Sequence, residues 1–355
     1  CWTGHFMAAL AHAYNVTQSQ ADLSAVSTLL LGFERATSIT GTGYLVRYAC
    51  PTSDKPCMQY IQDKGIAGKP PYQDWVWLGY ESRDQYMGAT LGLVSVLARV
   101  DDAPTRARTV AVLKRMIDYL ADHHWWIINP QHSHAPEVPN PLFIALFMRV
   151  ALTIDPTKYK RFELEYPVWF EAAKLTDFSI SDLHADSQFP NHLGSICLFA
   201  MAMLEPPETT QGKALGAALR KLATSMGGHF LQADWFSFHA AIAGPDTDVV
   251  AAAALQATLL DYAPAPKWNR VVNLTTDAEE LPHYSADMAQ FAVLPNARQP
   301  QDTYIWQRNP TLLNLGSTQI KEYQSADFLL PYWVGRYSGI IPKPPQYADQ
   351  HMSVV

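Results

Sequence analysis

A few carboxylates, histidines and aromatics in this chain are of the types, and at the spacings, that chemistry needs. Asp84 stands beside Arg83 in the run Glu81-Ser82-Arg83-Asp84-Gln85-Tyr86, with Trp77 and Tyr80 just upstream. A carboxyl enclosed by aromatics loses solvation, holds its proton to higher pH and can serve as a general acid. Acid-base hydrolysis of a glycosidic bond takes a second carboxylate. Asp234, directly before Trp235, is the first choice, with Asp182, Asp186 and Asp302 as further candidates. Plainer roles stand beside these. An aspartate in a first helical turn complements the helix dipole, and Asp234 is well placed as an N-cap.

Histidines gather where helices are expected to open: His5, His124, His132, His134, His192 and His239. His132-Ser133-His134 offers two metal ligands, but no third has diagnostic spacing, so neither a metal nor another cofactor is expected. Hydrogen bonds to sugar hydroxyls, or loop packing, are the expected work of these rings. Trp2, Trp77, Trp125, Trp126, Trp235 and Trp306 also fall near helix mouths or in loops, where an indole stacks on a sugar ring or fills core.

The elements that must hold these groups are helices. Residues 81–97 open with charge and run into an apolar body in which Met87, Leu91, Val94 and Leu97 follow helical spacing. Leu93 and Val96 lie off that stripe, and Gly88, Ala89, Gly92 and Ser95 fill the other faces. The pattern predicts a helix buried all round, N-capped by Ser82 and approached closely at its glycines. Residues 2–14, 142–154, 191–203, 235–243 and 327–341 repeat the apolar type. Residues 21–37, 105–124, 166–174, 210–226 and 249–262 read as their outer partners, most of them amphipathic. Residues 41–80 read as a long ordered loop insertion, and 267–314 as a less regular segment.

Composition narrows the function. The chain has 355 residues, 48% hydrophobic and 17% charged, which predicts a large core. Its net charge is -7 with no basic run, which argues against nucleic acid, and no apolar run is long enough to span a membrane. Cys50 and Cys57 bracket a short loop at disulfide spacing, and Asn15-Val16-Thr17 and Asn273-Leu274-Thr275 are glycosylation sequons, so export is expected. Residues upstream of Cys1 are also expected, because the chain begins inside a helical pattern. Nucleophile-elbow, Walker and Rossmann motifs are missing from the sequence.

Six apolar helices, most paired with an outer one, predict an all-α fold over residues 1–355 as one domain, an (α/α)6 toroid of helical hairpins. On Trp2-Thr3-Gly4-His5, on Ser82-Arg83-Asp84-Gln85-Tyr86 with Gly88, on Asn191-His192-Leu193 and on Tyr332-Trp333-Val334-Gly335-Arg336-Tyr337, the chain resembles the six-hairpin glycosidase superfamily. The resemblance implies a funnel at one end of the inner helices and a carbohydrate substrate. The expectation is a glycoside hydrolase with Asp84 as general acid and Asp234 as base, and Trp2, His5, Arg47, Trp77, Arg83, Tyr86, Trp235, His239 and Arg336 around the substrate. Asn191-His192 also resembles the Asn-His pair of toroidal lyases that cleave uronate polymers by β-elimination. That resemblance implies a carboxylate-binding Asn191 and a proton-handling His192, with Tyr86 or Tyr337 and an arginine nearby. The plain role of the pair is an N-cap followed by a packed imidazole. The third reading is a sugar-binding toroid without turnover.

Overall fold

The computed structural model describes residues 1–61, 64–130, 136–176, 189–227, 232–244, 249–262 and 325–343. Among them the chain is mainly helical. The helices are α1 (Trp2–Thr17), α2 (Gln20–Ser38), α3 (Lys55–Ile61), α4 (Arg83–Arg99), α5 (Ala103–Asp122) and α6 (Pro141–Ile154). They continue with α7 (Phe162–Thr176), α8 (Phe189–Ala202), α9 (Thr210–Lys221), α10 (Ala233–Ala243), α11 (Val249–Leu260) and α12 (Ala326–Tyr337). No helix of the described residues is long and apolar enough to cross a membrane.

Two kinds of helix appear, as their sequences dictate. In α4 every residue from Tyr86 to Leu97 is buried, and in α6 so is every one from Leu142 to Met148. In α2 only Val26, Leu30, Phe33 and Thr37 are buried, a single stripe at helical spacing. The amphipathic helices cover the apolar ones pair by pair: α2 on α1, α5 on α4, α7 on α6 and α9 on α8. α11 packs against α10 and α12. Among the apolar helices, α1 packs against α4 and α12, α4 against α6 and α8, α6 against α8, and α10 against α8 and α12. The α1–α4 seam is the tightest, because it is glycine on glycine. A Cβ on Gly4 would meet the Gly88 carbonyl oxygen at 1.9 Å, and one on Gly92 would meet the Gly4 oxygen at 2.7 Å.

Five of the described helices are capped by side chains: Ser19, Asp54, Asp102, Asn140 and Thr209 accept from the backbone N–H of Asp22, Cys57, Thr105, Phe143 and Gly212. Ser82 does occupy the N-cap position of α4, but it makes no cap bond. Its hydroxyl donates instead to Asp84.

The insertion at 41–80 is not the loop its prolines and tryptophans suggest. It folds into a three-stranded antiparallel sheet of β1 (Tyr48–Pro51), β2 (Ile66–Ala67) and β3 (Trp75–Leu78), with β3 in the centre. Tyr48 pairs with Leu78 and Pro51 with Trp75. The reason is local: Trp75-Val76-Trp77-Leu78 is a run of aromatic and apolar strand formers long enough for one strand, and the prolines sit at or beyond strand ends. Cys50 and Cys57 form a disulfide that ties β1 to α3 over a small core with Ile61 and Val76.

Candidate active site at the helix N-termini

The first turns of the apolar helices bring polar groups from distant stretches of sequence together. α1 supplies His5, α8 supplies His192 and α10 supplies Asp234, and all three are fully or almost fully buried. His5 Nε2 lies 2.8 Å from His192 Nε2, and the rings stack at 5.1 Å. Across the second imidazole, His192 Nδ1 is 3.8 Å from Asp234 Oδ2. His5 Nδ1 is 3.1 Å from the Cys1 carbonyl, which can only accept. That contact fixes the proton order. His5 carries its proton on Nδ1, so its Nε2 is an acceptor and His192 must donate from its own Nε2. A neutral His192 then turns a lone pair, not an N–H, toward Asp234.

Burial acts on each member in the same sense, against charge. It drives the His5 imidazole down to about 3 and His192 well below the ordinary histidine range. It holds the Asp234 carboxyl well above its usual range, with Asp327 on α12 adding like charge. Asp234 Oδ1 has no hydrogen-bond partner among the described residues. At neutral pH the two imidazoles are therefore neutral, and burial favours the protonated form of the carboxyl beside them. Asp234 lies inside the first turn of α10, after the N-cap Gln232, and Asn191 is the third residue of α8. Neither is the cap that its residue type suggests.

A second group surrounds the start of α4. Tyr80 takes a left-handed backbone turn, φ 68°, and the chain next sends Glu81 inward. Glu81 is 8% exposed, and neither of its carboxylate oxygens has a hydrogen-bond partner among the described residues. Desolvation pushes its pKa up to about 8. Asp84 is half-buried and accepts hydrogen bonds from Ser82 Oγ and from Gln85 Nε2. No family model, no curated protein and no solved structure matches this chain. Its chemistry has to be read from these positions.

The other expected residues scatter. Trp2 lies at the mouth, its ring 5.6 Å from His5. Arg83 pairs with Glu137, and exposed Arg47 donates to Ser82 Oγ at 3.3 Å. Tyr86 is fully buried, its hydroxyl accepting from Leu45 N at 3.0 Å, and Trp77 packs near Tyr44 in the core. Trp235 and His239 are buried along α10. Trp126 is exposed, while Trp125 packs on Phe162. Arg336 is misplaced in the expected site. It lies in the last turn of α12 and bonds Tyr332 Oη at 3.2 Å, whereas the site gathers around first turns. His132, His134, Asp182, Asp186, Asp302, Trp306 and the sequon at Asn273 lie outside the described residues.

Sequence reasoning missed Glu81 and Asp327. Asp327 was legible, as an acid at the start of an apolar run like Asp234. Glu81 has no local signal: a first-turn position favours Asp84, and nothing in the pattern reveals the turn at Tyr80.

Proposed function

We propose that the chain forms an (α/α)6 toroid and hydrolyses a glycosidic bond in a carbohydrate at the N-terminal end of its inner helices. The toroid reading is supported by the order of helix contacts, which runs from α1 through α4, α6, α8 and α10 to α12 and from α12 back to α1, with α4 also packed across on α8. The observation that carries the hydrolase reading is Asp234: a buried carboxyl whose pKa burial holds well above the usual range, with Oδ1 unbonded among the described residues and a lone pair of His192 facing Oδ2. That is the state of a general acid, so Asp234 takes the acid role that sequence assigned to Asp84. Asp84, whose oxygens already act as acceptors, takes the role of base. In the reaction Asp234 gives its proton to the leaving glycosidic oxygen as the carbon–oxygen bond breaks. Water attacks the anomeric carbon, and its proton passes to Asp84. The Cys50–Cys57 disulfide supports placing the protein in an oxidising, exported setting.

The β-elimination scheme finds less support. It needs His192 and a tyrosine at the site, but His192 Nε2 is engaged by His5, Tyr86 is wholly buried, and Tyr337 lies against His12 and Arg99. The two are separated by incubating the protein with neutral and uronic-acid polysaccharides and reading both reducing ends and the absorbance of an unsaturated uronate. Hydrolysis predicts reducing ends without that absorbance, abolished in Asp234→Asn and in Asp84→Asn. Absorbance that grows with cleavage and vanishes in His192→Ala sinks the proposal in favour of elimination. Turnover that survives Asp234→Asn removes Asp234 as the acid.

A further inference from the structure

Beside the Asp234 array, a separate cavity of about 200 Å³ opens between the start of α1, α2, the chain leading into β1, and the start of α4. Its lining includes Glu81, Gln85, Arg47, Arg35 and Thr3. We propose that this cavity binds a small molecule carrying a primary ammonium group, which seats on the Glu81 carboxylate, and an anionic end, which meets Arg47.

The observation behind it is Glu81 itself. A carboxyl more than nine-tenths buried, with both oxygens lacking a hydrogen-bond partner among the described residues, is costly to keep unless a donor arrives from outside. Its neighbours do not supply one. From the strand side the Tyr44 hydroxyl accepts from the Glu81 backbone N–H and not from its side chain. From the start of α1 the Cys1 amino group lends positive charge but bonds Gln85 Oε1 at 2.8 Å and not Glu81, and from α4 Asp84 adds negative charge while Gln85 turns its Nε2 to Asp84. From α2, Arg35 lies flat on the Trp75 ring, its guanidinium carbon 3.8 Å from the centroid. Arg47 is exposed at the rim, with a single 3.3 Å bond to Ser82 Oγ, so its guanidinium has donors to spare. Glu81 in the wall and Arg47 at the rim select a ligand with the reverse order of charge. A bare divalent cation fits less well, since no group of three acidic, histidine or cysteine side chains converges among the described residues.

Binding an ammonium requires Glu81 to ionise, and burial holds its proton until about pH 8. Affinity for a cationic ligand therefore rises with pH below that value, by up to about tenfold per unit. The inference does not depend on the hydrolase reading. It is tested by calorimetric titration with 4-aminobutyrate, butylamine, butyrate and glucose between pH 6 and 8. The expected order is 4-aminobutyrate above butylamine, with butyrate and glucose inert. Both amines should tighten as pH rises. Glu81→Gln, which keeps shape and removes charge, should weaken both by about thirtyfold or more. Arg47→Ala should bring 4-aminobutyrate down to the level of butylamine. Thermal unfolding of each variant separates lost binding from lost fold. Butyrate or glucose binding as well as the amines, an affinity flat with pH, amine binding that survives Glu81→Gln, or silence from all four probes each overturns it.

Discussion

The two ends of the same helices treat their buried polar groups in opposite ways. α1 carries His5 near one end and His12 near the other, seven residues and so about two turns apart on one face. Both rings are wholly buried, and burial takes both down to about 3. Around His12 every need is met: Nδ1 donates to the Ala8 carbonyl at 2.9 Å, and Nε2 accepts from Arg99 Nε at 3.2 Å. Arg99 in turn lies 4.1 Å over the Tyr337 ring. Around His5 the array ends in Asp234 with one oxygen unbonded among the described residues, and Glu81 is left with two. The helix dipole helps to sort the charges. Asp84, Asp234 and Asp327 fall in first turns, Arg99 and Arg336 in last turns. Among the described residues His12 is fully partnered, whereas Asp234 and Glu81 keep unbonded oxygens.

That contrast can be broken at either end. The largest effect belongs to Asp234→Asn, which should lower kcat on any hydrolysed substrate by about a thousandfold while leaving the unfolding midpoint in urea no lower than wild type. A variant that is inactive because it is unfolded would make Asp234 a structural residue. Next, Arg99→Leu strips the donor from His12 and should cost about 3 kcal/mol in urea denaturation. Glu81→Gln should do the reverse and stabilise the protein at pH 8 by about 2–3 kcal/mol. Equal signs for the two would end the distinction between a completed and an open end.

The pH dependence of stability follows from the same groups. His5, His12 and His192 stay neutral when folded but charge when unfolded as pH falls below about 6.5, so each costs stability on the acid side. Glu81 and Asp234 keep their protons when folded but lose them when unfolded above the ordinary carboxylate range, so each costs stability as pH rises. Three histidines outweigh two carboxyls up to about pH 6.5, and beyond it the carboxyls outweigh the Cys1 amino group, whose pKa burial lowers to about 6. Thermal unfolding should therefore peak near pH 6.5, and Glu81→Gln should flatten the alkaline limb alone. A maximum well above pH 7 would contradict it. The smallest effect is at Arg336, half-buried in the last turn of α12, where Arg336→Ala should change stability by less than about 0.5 kcal/mol and leave turnover unchanged.

What could be read beforehand was whatever is written locally. The small and apolar residues of 86–97 announced a helix buried on every face, and the glycines announced a close neighbour, which is α1. Period alone sorted the helices into buried and half-exposed kinds. What escaped depends on direction and on distant partners. Arg336 comes nine residues after Asp327, about 13 Å along a helix, so it belongs to the opposite end, and counting residues would have shown it. The fates of Asp84 and Glu81 turned on one backbone angle at Tyr80. The pairing of His5 with His192 spans 187 residues, and no local pattern encodes it.

The contact of Gly4 with Gly88 and Gly92 has a consequence for how this protein can change. Where two helices meet backbone to backbone, no side chain sets their spacing, so none can be trimmed to widen it. Thr3, beside Gly4, and Gln85 and Ala89, on either side of Gly88, stand along that seam and line the Glu81 cavity. On that side the cavity has a wall set by main chain, and only its other walls, with Phe33 on α2 and Leu45 and Val46 before β1, can be reshaped by changing a side chain.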